Sequence, residues 1–183
     1  MKHVELGKTG LNCAVVSFGG IPIQRSDAAN TVAVVDALEK HGMNYIDTAR
    51  GYTVSEEYLG AALQGRREKF ILATKSMVRD YEGMKKEVET SLKNLRTDHI
   101  EVYQLHNLPL GDFEKVFGPD GTYKALEEAK AAGKVGHIGA TFHSLDALKK
   151  AVEEYADKIE TVMFPFNIVE SQGTEILKLA REK

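Results

Sequence analysis

Asp47, Tyr52, Lys75 and His106 are the residues of this sequence whose types could jointly move a proton onto a reacting oxygen. When a hydride reduces a carbonyl, negative charge develops on the oxygen, which then needs a proton donor and hydrogen-bond stabilisation. A phenol, with a reference pKa of about 10, is protonated at neutral pH but gives up its proton reluctantly. A nearby ammonium stabilises the phenolate and eases that release. Tyr52 fits the first role and Lys75 the second, and Asp47 could hold Lys75 charged and in place. His106 could donate to the same oxygen from its other side and orient it. No side chain supplies a hydride, so this chemistry requires a cofactor. Taken singly, each residue has a plainer reading. An Asp before a turn is usually a local cap. A lone Tyr is commonly a rim aromatic, a Lys beyond a strand a solvated cation, and a lone His a satisfied polar group. Spacing alone leaves that choice open.

The elements that must position these residues alternate between short β-rich runs and longer helical segments. Residues 4–6 and 12–15, around Gly7-Lys8-Thr9-Gly10, predict a hairpin, and residues 15–18 a first core strand closed by Gly19-Gly20. Ser26-Asp27 can cap a helix to about His41, with apolar residues at helical period. Strands are then predicted over 44–47, 70–74, 100–105, 135–140 and 161–164. The helices between and after them cover 55–63, 81–95, 122–132, a segment opened by Ser144, and one from about Gln172. Residues 107–117 form a longer connection, whose Leu108, Leu110 and Phe113 could make an apolar wall or pack beneath the loop.

A hairpin followed by six βα units, in one domain over residues 1–183, places the chain in the α/β class with parallel strands. A doubly wound open sheet or a (β/α)8 barrel could result. A nucleotide-binding open sheet usually carries G-x-G-x-x-G after its first strand; Phe18-Gly19-Gly20-Ile21-Pro22 does not match. The TIM barrel is therefore favoured. Asp47, Lys75 and His106 then end successive strands, and Tyr52 lies in the loop after Asp47. Strand ends of a barrel converge on one mouth, so residues 59 positions apart can share a pocket.

The bulk numbers exclude several classes. Hydrophobic residues at 43%, charged residues at 28% and a net charge of −3 suit an ordinary globular protein and give no reason for a nucleic-acid partner. No apolar run approaches the roughly 20 residues of a membrane span, and no signal-peptide stretch opens the chain. Cys13 is the single cysteine, which forbids an intrachain disulfide and suits a buried small hydrophobe. The expectation is a cytoplasmic protein with no metal site and no membrane partner. Nothing in the sequence assigns an oligomeric state.

The motifs themselves resemble a known family. Asp47-Thr48-Ala49-Arg50-Gly51-Tyr52-Thr53-Val54-Ser55-Glu56-Glu57-Tyr58-Leu59-Gly60 closely resembles the aldo-keto reductase signature around its catalytic aspartate and tyrosine. Ala73-Thr74-Lys75-Ser76 looks like the lysine strand end of that family, and Tyr103-Gln104-Leu105-His106 like its histidine strand end. Leu6-Gly7-Lys8-Thr9-Gly10-Leu11 and Phe18-Gly19-Gly20 are similar to its opening hairpin and first strand. The resemblance runs in order along essentially the whole chain. It implies a TIM barrel that uses NADPH, less often NADH, to reduce a small carbonyl compound. Tyr52 would be the acid–base, Lys75 its ammonium neighbour, Asp47 the partner of Lys75, and His106 the carbonyl-orienting residue. Gly19, Gly20 and Ile21 would line the cofactor floor, with help from Asn167. Where the family holds the nicotinamide amide, Thr141 replaces a frequent serine, Phe142 a common asparagine and Met163 a usual glutamine. Segments 18–23 and 164–170 most resemble prokaryotic members, some of which carry an iron–sulfur module after the barrel. One cysteine could not bind such a cluster.

A complete barrel runs to about 250 residues, so the chain is expected to be an incomplete barrel and a piece of a longer product. Besides an oxidoreductase, the same fold could serve as a regulatory or binding protein, like the channel-associated β subunits that retain cofactor. A truncated fragment without activity is the remaining reading.

Overall fold

The computed structural model describes residues 1–183. An antiparallel hairpin opens the chain, pairing β1 (His3–Glu5) with β2 (Asn12–Ala14). Residues 15–17 do not form the predicted core strand. Val15 instead extends the hairpin, its N–H donating to the Lys2 carbonyl, and Ser17 Oγ turns back to the Ala14 carbonyl. Val15 and Val16 are therefore half exposed, and the first core strand β3 is only Phe18–Gly19.

Behind it come β4 (Tyr45–Asp47), β5 (Ile71–Ser76), β6 (Ile100–Leu105), β7 (Val135–Thr141) and β8 (Thr161–Met163). The six strands β3 to β8 lie side by side in chain order, every pair parallel. A doubly wound sheet reverses its strand order at a switch point. This sheet never reverses, which is the arrangement of a barrel wall. β3 and β8 are its two edges.

Seven α-helices accompany the sheet: α1 (Ala28–Lys40), α2 (Ser55–Ala62), α3 (Tyr81–Leu95), α4 (Phe113–Phe117), α5 (Thr122–Ala131), α6 (Leu145–Glu154) and α7 (Thr174–Glu182). Three start on side-chain caps: Asp27 accepts from the Asn30 N–H, Asp80 from Gly83 and Ser144 from Ala147. Each such cap contributes about 1 kcal/mol. No helix is long and apolar enough to cross a membrane. Behind the sheet, α2 and α3 approach closely at Gly60, where a Cβ would lie 2.2 Å from the Asn94 carbonyl oxygen. Only glycine permits that approach.

The connection 107–117 contains a 3-10 turn, Leu110–Asp112, and the short helix α4. Phe113 and Val116 are buried there, and Phe113 and Phe117 pack against the Tyr155 ring at 5.1 Å and 4.3 Å between centroids. Leu108 and Phe113 thus pack beneath the loop rather than walling the mouth, while Leu110 stays half exposed.

Candidate active site

Successive strand residues point to opposite sides of a sheet, and β5 uses this to serve two purposes. Thr74 and Ser76 point back to the helices, where they meet Glu56 of α2 and Glu87 of α3. Lys75 points to the other face. Its ammonium pairs with the Asp47 carboxylate at the end of β4 and donates to the Thr48 carbonyl at 2.8 Å. Lys75 sits one residue inside β5, not at its end. It is 4% exposed and Asp47 13%. A half-removed pair this deep would cost about 3–5 kcal/mol. Gln104 of β6, opposite Lys75 in the sheet register, donates its amide to the second Asp47 oxygen at 2.8 Å. Burial pushes the Asp47 carboxyl up, against the opposing pull of Lys75 and Gln104.

The chain beyond Asp47 keeps pairing with β5: the Thr48 and Arg50 N–H groups donate to the Ala73 and Lys75 carbonyls. It then turns through Thr53, at φ 43°, into α2. That turn brings the Tyr52 ring to the ammonium, with Lys75 Nζ 4.9 Å from the ring centroid. His106 follows β6 directly, its N–H donating to the Ser76 carbonyl. Its ring meets the Tyr52 ring edge-on, 6.0 Å between centroids and 90° between planes. Burial, together with the charges of Lys75 and Arg79 and the neighbouring His143, lowers the His106 pKa to about 4. The imidazole is neutral over the whole physiological range. Its Nδ1 is buried and has no partner. Asp47, Tyr52, Lys75 and His106 therefore form one contiguous cluster on this face.

The other expected site residues are placed as follows. The Gly20 N–H donates to the Asp47 carbonyl at 2.7 Å, and its own carbonyl accepts from Ser55 Oγ at 3.0 Å, which pins the end of β3 beside the cluster. A Cβ on Gly20 would meet Ser55 Oγ at 2.9 Å, while one on Gly19 would meet nothing within 4 Å. Ile21 is exposed beside them. Thr141 ends β7, and its Oγ1 accepts from the Asn107 N–H at 2.7 Å. Phe142 is buried, and Met163 is exposed at the end of β8. The Asn167 amide is engaged in its own turn, donating to Glu170 and accepting from the Val169 and Glu170 N–H groups. No group of three or more His, Cys, Asp or Glu side chains is arranged to hold a metal ion.

Three further participants were not singled out from sequence. Gln104 had a usable signal: it lies two residues before His106 and so faces the same side of β6. Glu56, 1% exposed, accepts from Arg50, Thr74, Ser91 and Asn94. Arg79 donates to the His106 carbonyl at 2.5 Å. Neither Glu56 nor Arg79 carries a spacing that reveals its partners.

The sequence model of the Aldo/keto reductase family matches residues 15–183. The chain belongs to that family. Among relatives of this aldo-keto reductase chain, an uncharacterized oxidoreductase of Bacillus subtilis, YqkF, is 30% identical, covering all of this chain and 61% of its own length. The NADH-specific methylglyoxal reductase of Escherichia coli is 28% identical over all of this chain and 64% of its own length. The holo form of the aldo-keto reductase AKR11C1 from Bacillus halodurans superposes with a TM-score of 0.84 at 29% identity, covering 100% of this chain and 63% of that one. This aldo-keto reductase chain thus spans about three-fifths of the length of the curated relatives it matches. These likenesses fit a partial TIM barrel with a parallel six-stranded wall.

Proposed function

We propose that the protein reduces a small aldehyde or ketone to the alcohol, using NADPH or NADH, with Tyr52 as proton donor. The observation that carries this reading is the Asp47–Lys75 pair lying under Tyr52, with a neutral imidazole facing the same ring. The donor set itself fits a nicotinamide cofactor, because phenol, ammonium and imidazole can handle a proton but none can supply a hydride. A reduced nicotinamide, when bound, supplies that hydride. The mouth also offers a surface for a flat ring: open space beside Gly19 and the exposed Ile21 on one edge, and Met163 on the other. Gly19, Gly20, Ile21 and Met163 would hold the group there. Thr141 keeps a hydroxyl hydrogen for it, since its oxygen is the acceptor for Asn107. Asn167 would contribute through its backbone and position, its amide being occupied.

The protein groups act on the substrate oxygen. Tyr52 O–H donates the proton as charge develops there, and the Lys75 ammonium stabilises the phenolate left behind. Asp47, with Gln104, keeps that ammonium in place. His106, neutral, donates a ring N–H to the same oxygen and orients it. The phenolate is reprotonated from solvent. The name of the Escherichia coli relative joins NADH to a small dicarbonyl, which supports the substrate class.

The test is the turnover of generic aldehydes by the wild type and Tyr52→Phe. Turnover should fall by about 10²–10⁴-fold, while fluorescence titration shows dinucleotide binding unchanged. Full turnover in Tyr52→Phe would sink the reading. Dinucleotide binding by a wild type that reduces no carbonyl would favour a regulatory role on the same fold.

A further inference from the structure

Arg79 lies in the loop after β5 and belongs to none of the roles assigned so far. Its side chain is 11% exposed. One terminal nitrogen donates to two successive carbonyls, those of His106 at 2.5 Å and Asn107 at 3.1 Å. The other reaches the Val78 carbonyl at 3.3 Å, and Nε pairs with Asp112 at 3.2 Å. The stretch it grips is unusual. Asn107 has φ 47°, in the left-handed region, which asparagine tolerates better than other non-glycine residues. It persists because neighbours hold it: Thr141 Oγ1 accepts the Asn107 N–H and the Thr141 carbonyl accepts the Leu108 N–H. Asn107 and Leu108 are therefore held by β7 through their N–H groups, His106 by β5 through its own, and the carbonyls of His106 and Asn107 by Arg79.

We propose that Arg79 is a positioning residue for His106: by clasping the carbonyls of His106 and Asn107 from the neighbouring loop, it sets the direction in which the imidazole faces Tyr52. The His106 ring has no side-chain hydrogen bond of its own at Nδ1, so its aim depends on the backbone that carries it. A guanidinium suits the task because its five donors have fixed directions, whereas an ammonium is a point charge on a flexible stem. Asp112 in turn orients the guanidinium and balances its charge within a site that already holds Lys75. The catalytic meaning of this grip rests on the carbonyl-reducing reading; the grip itself does not.

The experiment compares Arg79→Lys, Arg79→Met and Asp112→Asn with the wild-type protein by three measurements. NMR of the His106 imidazole reports its environment, hydrogen exchange reports the Asn107 and Leu108 amides, and steady-state kinetics reports kcat and KM. Arg79→Met, which removes a charge, should move the His106 titration midpoint upward from about 4, and both Arg79 variants should change the imidazole signals and speed exchange at both amides. Misplacement of about 1 Å can cost 10²-fold, so kcat/KM should fall by about 10–10²-fold with unchanged dinucleotide affinity. Asp112→Asn should speed exchange and lower kcat/KM by less, without raising the His106 midpoint, because the Arg79 charge is then uncompensated. Wild-type imidazole signals and amide exchange in Arg79→Lys would overturn the proposal, even if that variant melted earlier. Should Arg79→Met fail to fold, Arg79→Lys and Asp112→Asn decide. A wild type without carbonyl reduction would remove the reaction but leave the imidazole and amide measurements to judge Arg79.

Discussion

The two faces of β5 carry carboxylate–cation clusters of similar composition and opposite character. On the helix side, Glu56 is 1% exposed and accepts from a guanidinium, two hydroxyls and an amide. Arg50 links that carboxylate onward to Glu87, which accepts from Ser76. Both Glu56 oxygens have their donors, and the one buried nitrogen without a hydrogen bond, Arg50 Nε, still lies 3.2 Å from Glu87. On the other face, Asp47 and Lys75 are also paired, but Lys75 lies 4.9 Å from a tyrosine ring, and that ring meets an imidazole with a free buried nitrogen. The lesson is that a buried ion pair is not itself a sign of chemistry. What separates the two faces is that a phenol and an imidazole lie against the Asp47–Lys75 pair, whereas Glu56 is surrounded by the groups that bind it.

The sharpest attack on this division is Lys75→Met, which should affect both stability and turnover. It leaves Asp47 buried with only the Gln104 amide, so unfolding free energy should fall by about 3–5 kcal/mol, read from urea midpoints. Carbonyl turnover should fall by about 10²–10⁴-fold. Glu56→Ala should cost a similar 3–5 kcal/mol, because Arg50 loses its buried partner. Its turnover per folded molecule should change less than about ten-fold. A loss of turnover in Glu56→Ala equal to that in Lys75→Met would erase the distinction between the faces.

A smaller effect is expected from acid. An unfolded His titrates near 6.5 and folded His106 near 4, so between those values the unfolded chain binds the extra proton. His106 therefore contributes stability that is present above about pH 6.5 and is lost as pH falls toward 4. Urea unfolding of wild type and His106→Asn at pH 7 and pH 5 isolates this term from the carboxylates. The wild type should lose more stability on acidification, and parallel losses would refute it. Smallest is Asn167→Ala. Its amide serves its own exposed turn, so dinucleotide affinity should shift less than about two-fold, with stability lowered by about 1 kcal/mol. A ten-fold loss of affinity would show that this side chain reaches the cofactor directly.

The sequence was most legible where a single period ran unbroken. The predicted bounds of α3 and β6 coincide with the structure, and the caps Asp27 and Ser144 stand where their residue types pointed. Legibility failed where the pattern was short or shared. Val15 and Val16 have the β-branched look of a core strand but finish the hairpin. Helix α4 is five residues long between Gly111 and Gly118, too brief to show a period. At the site, the four residues that cluster, Asp47, Tyr52, Lys75 and His106, could be named from type and placement. Glu56 and Arg79 could not, because most of their partners are distant in sequence (Thr74, Ser91 and Asn94 for Glu56; His106, Asn107 and Asp112 for Arg79), and surface glutamates and arginines look the same in sequence.

The unreversed order of β3 to β8 also bears on how the protein comes into being. Each strand pairs with the next one in the chain, after one α-helix as Ile46 does with Leu72, or after α4 and α5 as Leu105 does with Ala140. No strand waits for a distant part of the chain, although each parallel crossover still has its loop-closure cost. Chain leaving the ribosome can add one unit at a time to a wall already in place. Asp47, Tyr52 and Lys75 lie before the end of β6 and His106 directly after it. The strands that carry the cluster can therefore pair before β8 has been translated, while the turn after His106 awaits Thr141 of β7.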